Sequence, residues 1–438
     1  MFCGKNLNLK PIVNRYLKGV GRVGLCCIAL SVNLSVAATA NAAEAMSLNK
    51  AIALSLKQHP ELATFTYKTE AAQALVEQAG VGTPLAVNAM VEDAFGTGSY
   101  SGIKGLQTTL SISWLLEDDI IDSRVKLANS EVAAATIERE IKAIDIAAET
   151  ASIFITILSQ QEKLKLAKLA EQQAQAVVQQ ISKKVSAGKL FVVDELRAKA
   201  ALSMFTLEVE DLTHEIAASK AQLAAQFSDS WSGENASGTD FDIVGNLADI
   251  LSVKSLDSAL AKLTSNPLLK RFLVEQDIAQ SAIDLAITEQ DPAWQITTGI
   301  RRNEVADDYS FTAGITVPFG TSHRNKGQIA ALKAKQNQSR AESTALYQRI
   351  STQALLLTHK LKHNLHVIDS LTNQSIPYLQ QASSKANEAY QLGSYRYTDL
   401  YAVQQELINA QSQLIDAYTN IQQFNIELER LTGTSVSR

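Results

Sequence analysis

Cysteine is nearly absent from this chain. Its 438 residues contain three, Cys3, Cys26 and Cys27, all within the first 27 positions. The remainder therefore has no disulfide, no thiolate metal site and no cysteine nucleophile. Proline is scarce as well, with seven in all and six after position 11, so long stretches run free of helix breakers. Aromatics make up 6%, few for a large packed core. After the N-terminal segment no run of 18 apolar residues occurs, which excludes a second membrane helix. No Ser/His/Asp order, paired acid, P-loop or Gly-rich phosphate loop appears either, so we expect neither an enzyme nor a cofactor. What is abundant is Ala, Gln, Leu, Lys, Glu and Ser, the composition of long helices packed on each other. At about 150 residues per domain the length alone would suggest two or three globules. The composition argues against them.

The N-terminus reads as an export signal. Lys5, Lys10, Arg15, Lys18 and Arg22 form a basic region without an acid, Val23 to Val36 is apolar, and Ala40-Asn41-Ala42 offers a cleavage site. About 14 apolar residues are too few to span a bilayer, which needs about 20. Neither Cys26 nor Cys27 sits in a lipoprotein pattern, so no acylation is expected. Removing residues 1–42 removes five positive charges and takes the formal net charge from −5 to −10. Such an acidic product does not suit nucleic acid, whose phosphates call for clustered Lys and Arg.

The rest reads as a duplication. Ser47-Leu48-Asn49-Lys50-Ala51 recurs as Ser255-Leu256-Asp257-Ser258-Ala259, His59-Pro60 as Asn266-Pro267, and Pro84 as Pro292. Gly188 followed by Asp194 is matched by Gly393 followed by Asp399. The expected division is a signal at 1–42, a first repeat at 43–227, a linker at 228–254 and a second repeat at 255–438. Each repeat predicts a short helix, a helix opened by Pro60 or Pro267, two strands, a very long helix (120–187, 324–391), a Gly turn and a returning helix (194–227, 399–432). Asp194 and Asp399 are expected N-caps of the returning helices. Ile137, Ile141, Ile144, Ala148, Ala151, Phe154 and Leu158 step by threes and fours, a coiled-coil-like seam.

The strands carry the most telling chemistry. Leu106, Leu110, Ile112 and Trp114 alternate with Gln107, Thr109, Ser111 and Ser113. In the second half Tyr309, Phe311, Ile315, Val317 and Phe319 alternate with Ser310, Thr312 and Thr316. Weaker strands precede them at 85–95 and 293–302, the latter opening with Trp294. An apolar face with aromatics near the strand ends and a Ser/Thr/Gln face match transmembrane β-strands. A soluble half-buried sheet also alternates. Four strands cannot close a barrel, for which eight is about the minimum, so membrane strands require several chains to share one.

This duplicated order resembles the outer-membrane efflux protein family typified by TolC, over essentially all of the chain after residue 42. The matches are the Leu48…Ala51…His59-Pro60-Glu61-Leu62 and Leu256…Ala259…Asn266-Pro267 openings and the two Gly-x5-Asp turns. Val317-Pro318-Phe319 through Asn325-Lys326-Gly327 is similar to its heavy-metal, CzcC-like branch. The resemblance implies a mainly α fold with a membrane β-barrel portion: a homotrimer with twelve barrel strands in outer-membrane lipid and a long periplasmic helical barrel. It implies a passive exit duct in the outer membrane of a Gram-negative bacterium, serving efflux or type I secretion. Its partners would be a periplasmic adaptor and an inner-membrane RND or ABC transporter. Gln107, Thr109, Ser111, Ser113, Ser310, Thr312 and Thr316 would then line the lumen. Leu106, Leu110, Ile112, Trp114, Trp294, Phe311, Ile315 and Val317 would meet lipid. The family docks its adaptor at the turns, here Gly188, Lys189, Leu190, Gly393, Ser394 and Tyr395, and gates its tip with acids. Only Glu388 is acidic in the matching stretch, with Lys385 nearby. His359, His363 and His366, at i, i+4 and i+7, are a weak candidate for a metal site, opposed by Lys360 and Lys362. The competing class is a periplasmic coiled-coil adaptor or scaffold, which needs no lipid-facing band.

Overall fold

The computed structural model describes residues 44–227, 241–249, 261–263, 265–320 and 323–433. The chain divides into two units, Met1–Ala42 and Ala43–Arg438. The expected export signal and the Leu256…Ala259 opening lie outside the described residues. The second unit begins with a short strand, β1 (Glu44–Met46), then α1 (Leu48–Gln58) and α2 (Pro60–Ala79). Ser47 caps α1 by accepting from the Lys50 amide, and His59 caps α2 by accepting from the Glu61 amide. Pro60 occupies the first turn of α2, where its missing N–H leaves no intrahelical bond unmade. Strands β2 (Ala86–Glu92) and β3 (Gln107–Leu116) lead into α3 (Asp118–Ser186), whose 69 residues reach about 100 Å at 1.5 Å each. Helix α4 (Val192–Ala225) returns beside it.

Within the stretch read as linker, Phe241–Ile243 forms β4, which pairs in parallel with β1. Helix α5 (Pro267–Thr288) then opens like α2: Asn266 accepts from the Leu268 amide at 2.7 Å and Pro267 fills the first turn. Strands β5 (Trp294–Asn303) and β6 (Asp308–Thr316) precede α6 (Lys326–Ser370), a π turn at Leu371–Ser375, α7 (Ile376–Gln391) and α8 (Tyr397–Thr432). Among the described residues no helix is long and apolar enough to cross a membrane.

The principal core surrounds the middle of α3. Phe154, Ile157 and Leu158 meet Met46, Ile52, Leu223, Phe241, Ile243, Leu247 and Ile426. The expected seam is only part of this. Ala148, Ala151, Phe154 and Leu158 are buried, but so are Ile146, Ala147, Thr150, Ile155 and Ile157, while Ile137, Ile141 and Ile144 are half-buried. Helices α1, α4 and α8 and strand β4 all pack on α3, so this stretch is covered on more faces than a two-helix seam needs. Polar pairs tie the long elements together: Lys68–Glu138 and Lys142–Glu61 join α2 to α3, Lys126–Asp284 joins α5 to α3, and Arg430–Asp145 joins α8 to α3.

Candidate functional site: an inverted sheet and two helical turns

The second sheet has the order β2-β3-β5-β6, antiparallel throughout. Register sorts its side chains into two faces. One carries the rows Val87–Ile112–Thr298–Ala313 and Ala89–Leu110–Ile300–Phe311, with Trp114, Ile296 and Ile315 in a further row and Trp294 opposite Leu116. The other carries Asn88–Ser111–Gly299–Thr312 and Met90–Thr109–Arg301–Ser310. In water the apolar face should be covered. Here Leu110, Ile112, Trp114, Trp294, Phe311 and Ile315 are exposed, whereas Thr109 and Ser113 are buried and Gln107 and Ser111 half-buried. Among the described residues no helix is packed on this sheet. The polar face is shielded by its own side chains. Ser310 and Thr316 stay exposed because β6 is an edge strand, and Thr312 is half-buried.

Three apolar positions fall outside the strands. Leu106 donates to Ile103 from a turn just before β3. Val317 follows β6 and is half-buried, and Phe319 lies beyond it. Pro318 explains the ending, since it has no N–H to offer a ladder.

The polar face is bonded across strands. Ser113 links Asn88 at 3.3 Å with Thr297 at 3.1 Å. Arg301 donates to Thr109 (2.9 Å), Gln107 (3.3 Å) and Glu92 (3.2 Å), bridging β2, β3 and β5, while Gln107 donates to Asp93. Sequence reading missed Arg301, although its alternation with Thr297 and Gly299 placed it on this face. Gly299 is required there: a Cβ would meet the Leu110 carbonyl oxygen at 2.6 Å and the Ser111 Cβ at 2.7 Å. Below the sheet, Glu117 accepts from the Thr83 backbone, and hydrogen bonding from Thr83 holds its carboxyl below the usual range. That contact fixes the passage from β3 into α3.

The two turns at the far ends of the helices share one geometry. Gly188 (φ +70°) donates to Val185 and Lys189 to Lys184; Gly393 (φ +79°) donates to Tyr390 and Ser394 to Ala389. Each is a Schellman ending, which places its glycine in the left-handed region. Asp194 and Asp399 are not the N-caps expected of them. Phe191 and Arg396 hold those positions with extended backbones and no side-chain bond, leaving both aspartates in the first turn, where they complement the helix dipole. Lys189, Ser394 and Tyr395 are exposed and Leu190 is half-buried. Beside the turns Ile181, Ala198, Ala386, Tyr390, Tyr397 and Leu400 make a small core. Burial pushes the Tyr390 phenol up and that of Tyr397 up to about 12. The Lys184 ammonium sits 4.2 Å from the Tyr390 ring centroid and donates to the Tyr390 carbonyl.

Glu388 is exposed and paired with Lys385 at 2.9 Å, so its charge is offset locally. His359, His363 and His366 are exposed on α6. Among the described residues no group of three or more His, Cys, Asp or Glu side chains is arranged to hold a metal ion.

Comparison with known proteins agrees with this architecture. Residues 51–226 match the sequence profile of the family described as Outer membrane efflux protein. The cobalt-zinc-cadmium resistance protein CzcC of Cupriavidus metallidurans is 23% identical over 289 residues, covering 66% of this chain and 68% of its own. Among solved structures, the outer-membrane channel OprN superposes with a TM-score of 0.73 at 14% identity, over 89% of this chain and 91% of that one. CusC gives 0.71 at 16%, over 88% and 92%. VceC of Vibrio cholerae gives 0.69 at 18%, over 89% and 96%. Residues 51–226 thus match the outer membrane efflux protein family, within a mainly helical chain whose fold is similar to that of solved outer-membrane channels.

Proposed function

We propose that the protein is the outer-membrane channel of a tripartite efflux or type I secretion system, a passive exit duct for a pump seated in the inner membrane. The observation that carries this reading is the inverted sheet, whose exposed apolar face calls for lipid and whose shielded polar face calls for water. Backbone groups cannot be left unpaired in hydrocarbon, so the open edges at β2 and β6 require neighbouring copies. A homotrimer supplies twelve strands and closes the barrel. In this reading residues 43–227 and 255–438 are two copies of one unit. Lumen and lipid sides follow the two faces of the sheet, and the Gly188 and Gly393 turns meet a periplasmic adaptor. Residues 1–42 direct export and are removed, and the channel sits in the outer membrane of a Gram-negative bacterium. Passage down a gradient made by the pump involves no bond-making step, so no catalysis is assigned.

The adaptor or scaffold alternative has no use for an exposed apolar sheet. Fractionation with a semi-native gel separates the two: the channel is expected in the outer membrane as an oligomer, and a monomer in the soluble periplasm would sink the proposal. For cargo, the similarity to CzcC, a cobalt-zinc-cadmium resistance protein, makes cobalt, zinc and cadmium the first ions to test. Deleting the gene should then lower tolerance to at least one of them.

A further inference from the structure

Charge is confined to one end of the polar face of the four-stranded sheet. The rows Leu115–Gln295–Thr316, Ser113–Thr297–Gly314 and Asn88–Ser111–Gly299–Thr312 carry no charged side chain. The next row, Met90–Thr109–Arg301–Ser310, holds one guanidinium. The last, Glu92–Gln107–Asn303–Asp308, holds two carboxylates at the end remote from the helices. Asp93, one residue past β2, accepts from Gln107 at 3.0 Å and adds a third. Among the described strand residues Arg301 is the only cation on this face. Glu92 meets it at 3.2 Å, whereas Asp308 accepts from the Tyr309 amide at 2.7 Å. One positive charge thus stands against three negative ones, and this collar stays negative. Joining Thr109 to Gln107 does not by itself require a guanidinium, since a neutral amide also donates. A fixed charge has a further effect, on ions in the water beside the face. Rings of charged side chains set the sign of the ions that a pore prefers, and on these strands the polar face has charge nowhere else.

We propose that Arg301 is the specificity-determining residue at the outer end of the duct: it offsets Glu92 and holds the collar at a mild preference for cations over anions. This rests on the channel reading, in which the polar face lines the lumen. Conduction requires that an ion leave as readily as it enters. Three carboxylates without the guanidinium would retain a cation at the exit. With Arg301 in place cations are drawn to the mouth and released.

The test uses the purified full-length protein in lipid vesicles, with Met90→Cys as the probe site. Met90 is exposed and lies opposite Thr109, to which Arg301 donates, so a thiol there sits about 7 Å from the guanidinium. Singly charged cationic and anionic methanethiosulfonates are compared, and the protein without Met90→Cys gives the background. A unit charge about 7 Å away in water of low salt favours one reagent and disfavours the other, so its removal changes the ratio of their rates about fivefold. In about 10 mM salt we expect the cation-to-anion ratio to rise by that factor in Arg301→Gln and to keep the parent value in Arg301→Lys. The difference should fade at about 1 M salt, where screening acts within about 3 Å. An unchanged ratio in Arg301→Gln overturns the proposal. An equal rise in Arg301→Lys also overturns it, because the lost fork geometry and not the charge would then be responsible. Should Arg301→Gln fail to assemble, Glu92→Gln decides: a fall of about fivefold is expected, and an unchanged ratio overturns the proposal. Ile112→Cys on the opposite face tests the channel reading separately. If it reacts with the charged reagents as fast as Met90→Cys, the apolar face is not in lipid and the channel reading fails, while the ratio at Met90→Cys still judges the charge of Arg301.

Discussion

Replacing Ile112 by arginine separates a lipid-facing sheet from a soluble one. Ile112 is the sixth of ten residues in β3 and lies exposed on the apolar face, between Val87 and Thr298. At about 3.3 Å per residue and a tilt of about 40°, such a strand rises about 25 Å, the height of the apolar band of an outer-membrane barrel. Ile112 then falls near mid-depth. A guanidinium there costs about 2–4 kcal/mol, or about 30- to 900-fold in the folded-to-unfolded ratio. In the proposed trimeric barrel three copies raise this to about 6–12 kcal/mol if the sites act independently. On a soluble sheet the same exposed side chain would change stability by no more than about 0.5 kcal/mol. The two expectations do not overlap. The assay is urea unfolding from lipid vesicles followed by tryptophan emission, since Trp114 and Trp294 report on this face, with Ser111→Arg on the opposite face as control. We expect a large loss for Ile112→Arg and a small one for Ser111→Arg. An Ile112→Arg protein as stable as the parent, or more soluble without lipid, would refute the reasoning.

Two further outcomes are expected. Gly393→Val places a β-branched residue at φ +79° with no atom within 4 Å of the new Cβ, so any loss is backbone strain, about 1–2 kcal/mol or somewhat more. An unchanged denaturation midpoint would show that the turn relaxes freely. For pH, the hydrogen bond from Lys142 holds the Glu61 carboxyl below its usual range, and the same bond raises the Lys142 ammonium. The folded carboxyl therefore gives up its charge later on acidification than the unfolded one. Its contribution is present above the ordinary carboxylate range and is lost as pH falls through the lowered folded value. Glu61→Gln should flatten that part of the stability profile, and a profile that keeps its slope would remove the pair from the account.

Much of this was legible in the sequence because its signals are local. His59-Pro60 and Asn266-Pro267 announce helix starts by chemistry that needs no tertiary context, and the left-handed turns need glycine at 188 and 393. Period-two alternation gave the faces of β3 and β6. Other features depend on neighbours. The aspartates at 194 and 399 looked like caps, yet backbone geometry starts each helix three residues earlier. The strand β4 comes from a stretch resembling a linker, and its pairing with β1 spans nearly two hundred residues. Arg301 gains its meaning only when register sets it beside Thr109, Gln107 and Glu92. The π turn has no sequence signature apart from the nearby Pro377, because an extra residue shows only against a helical phase known on both sides.

The edges of the four-stranded sheet carry a genetic consequence. Each chain offers one edge at β2 and one at β6, and a closed ring of copies needs every edge filled. A chain with a damaged β6 but a sound β2 still enters a ring and leaves it open. If three copies close one barrel as proposed, the yield of sound rings in a cell making both kinds of chain falls as the cube of the sound fraction. Such an allele is dominant, whereas one that abolishes synthesis is recessive.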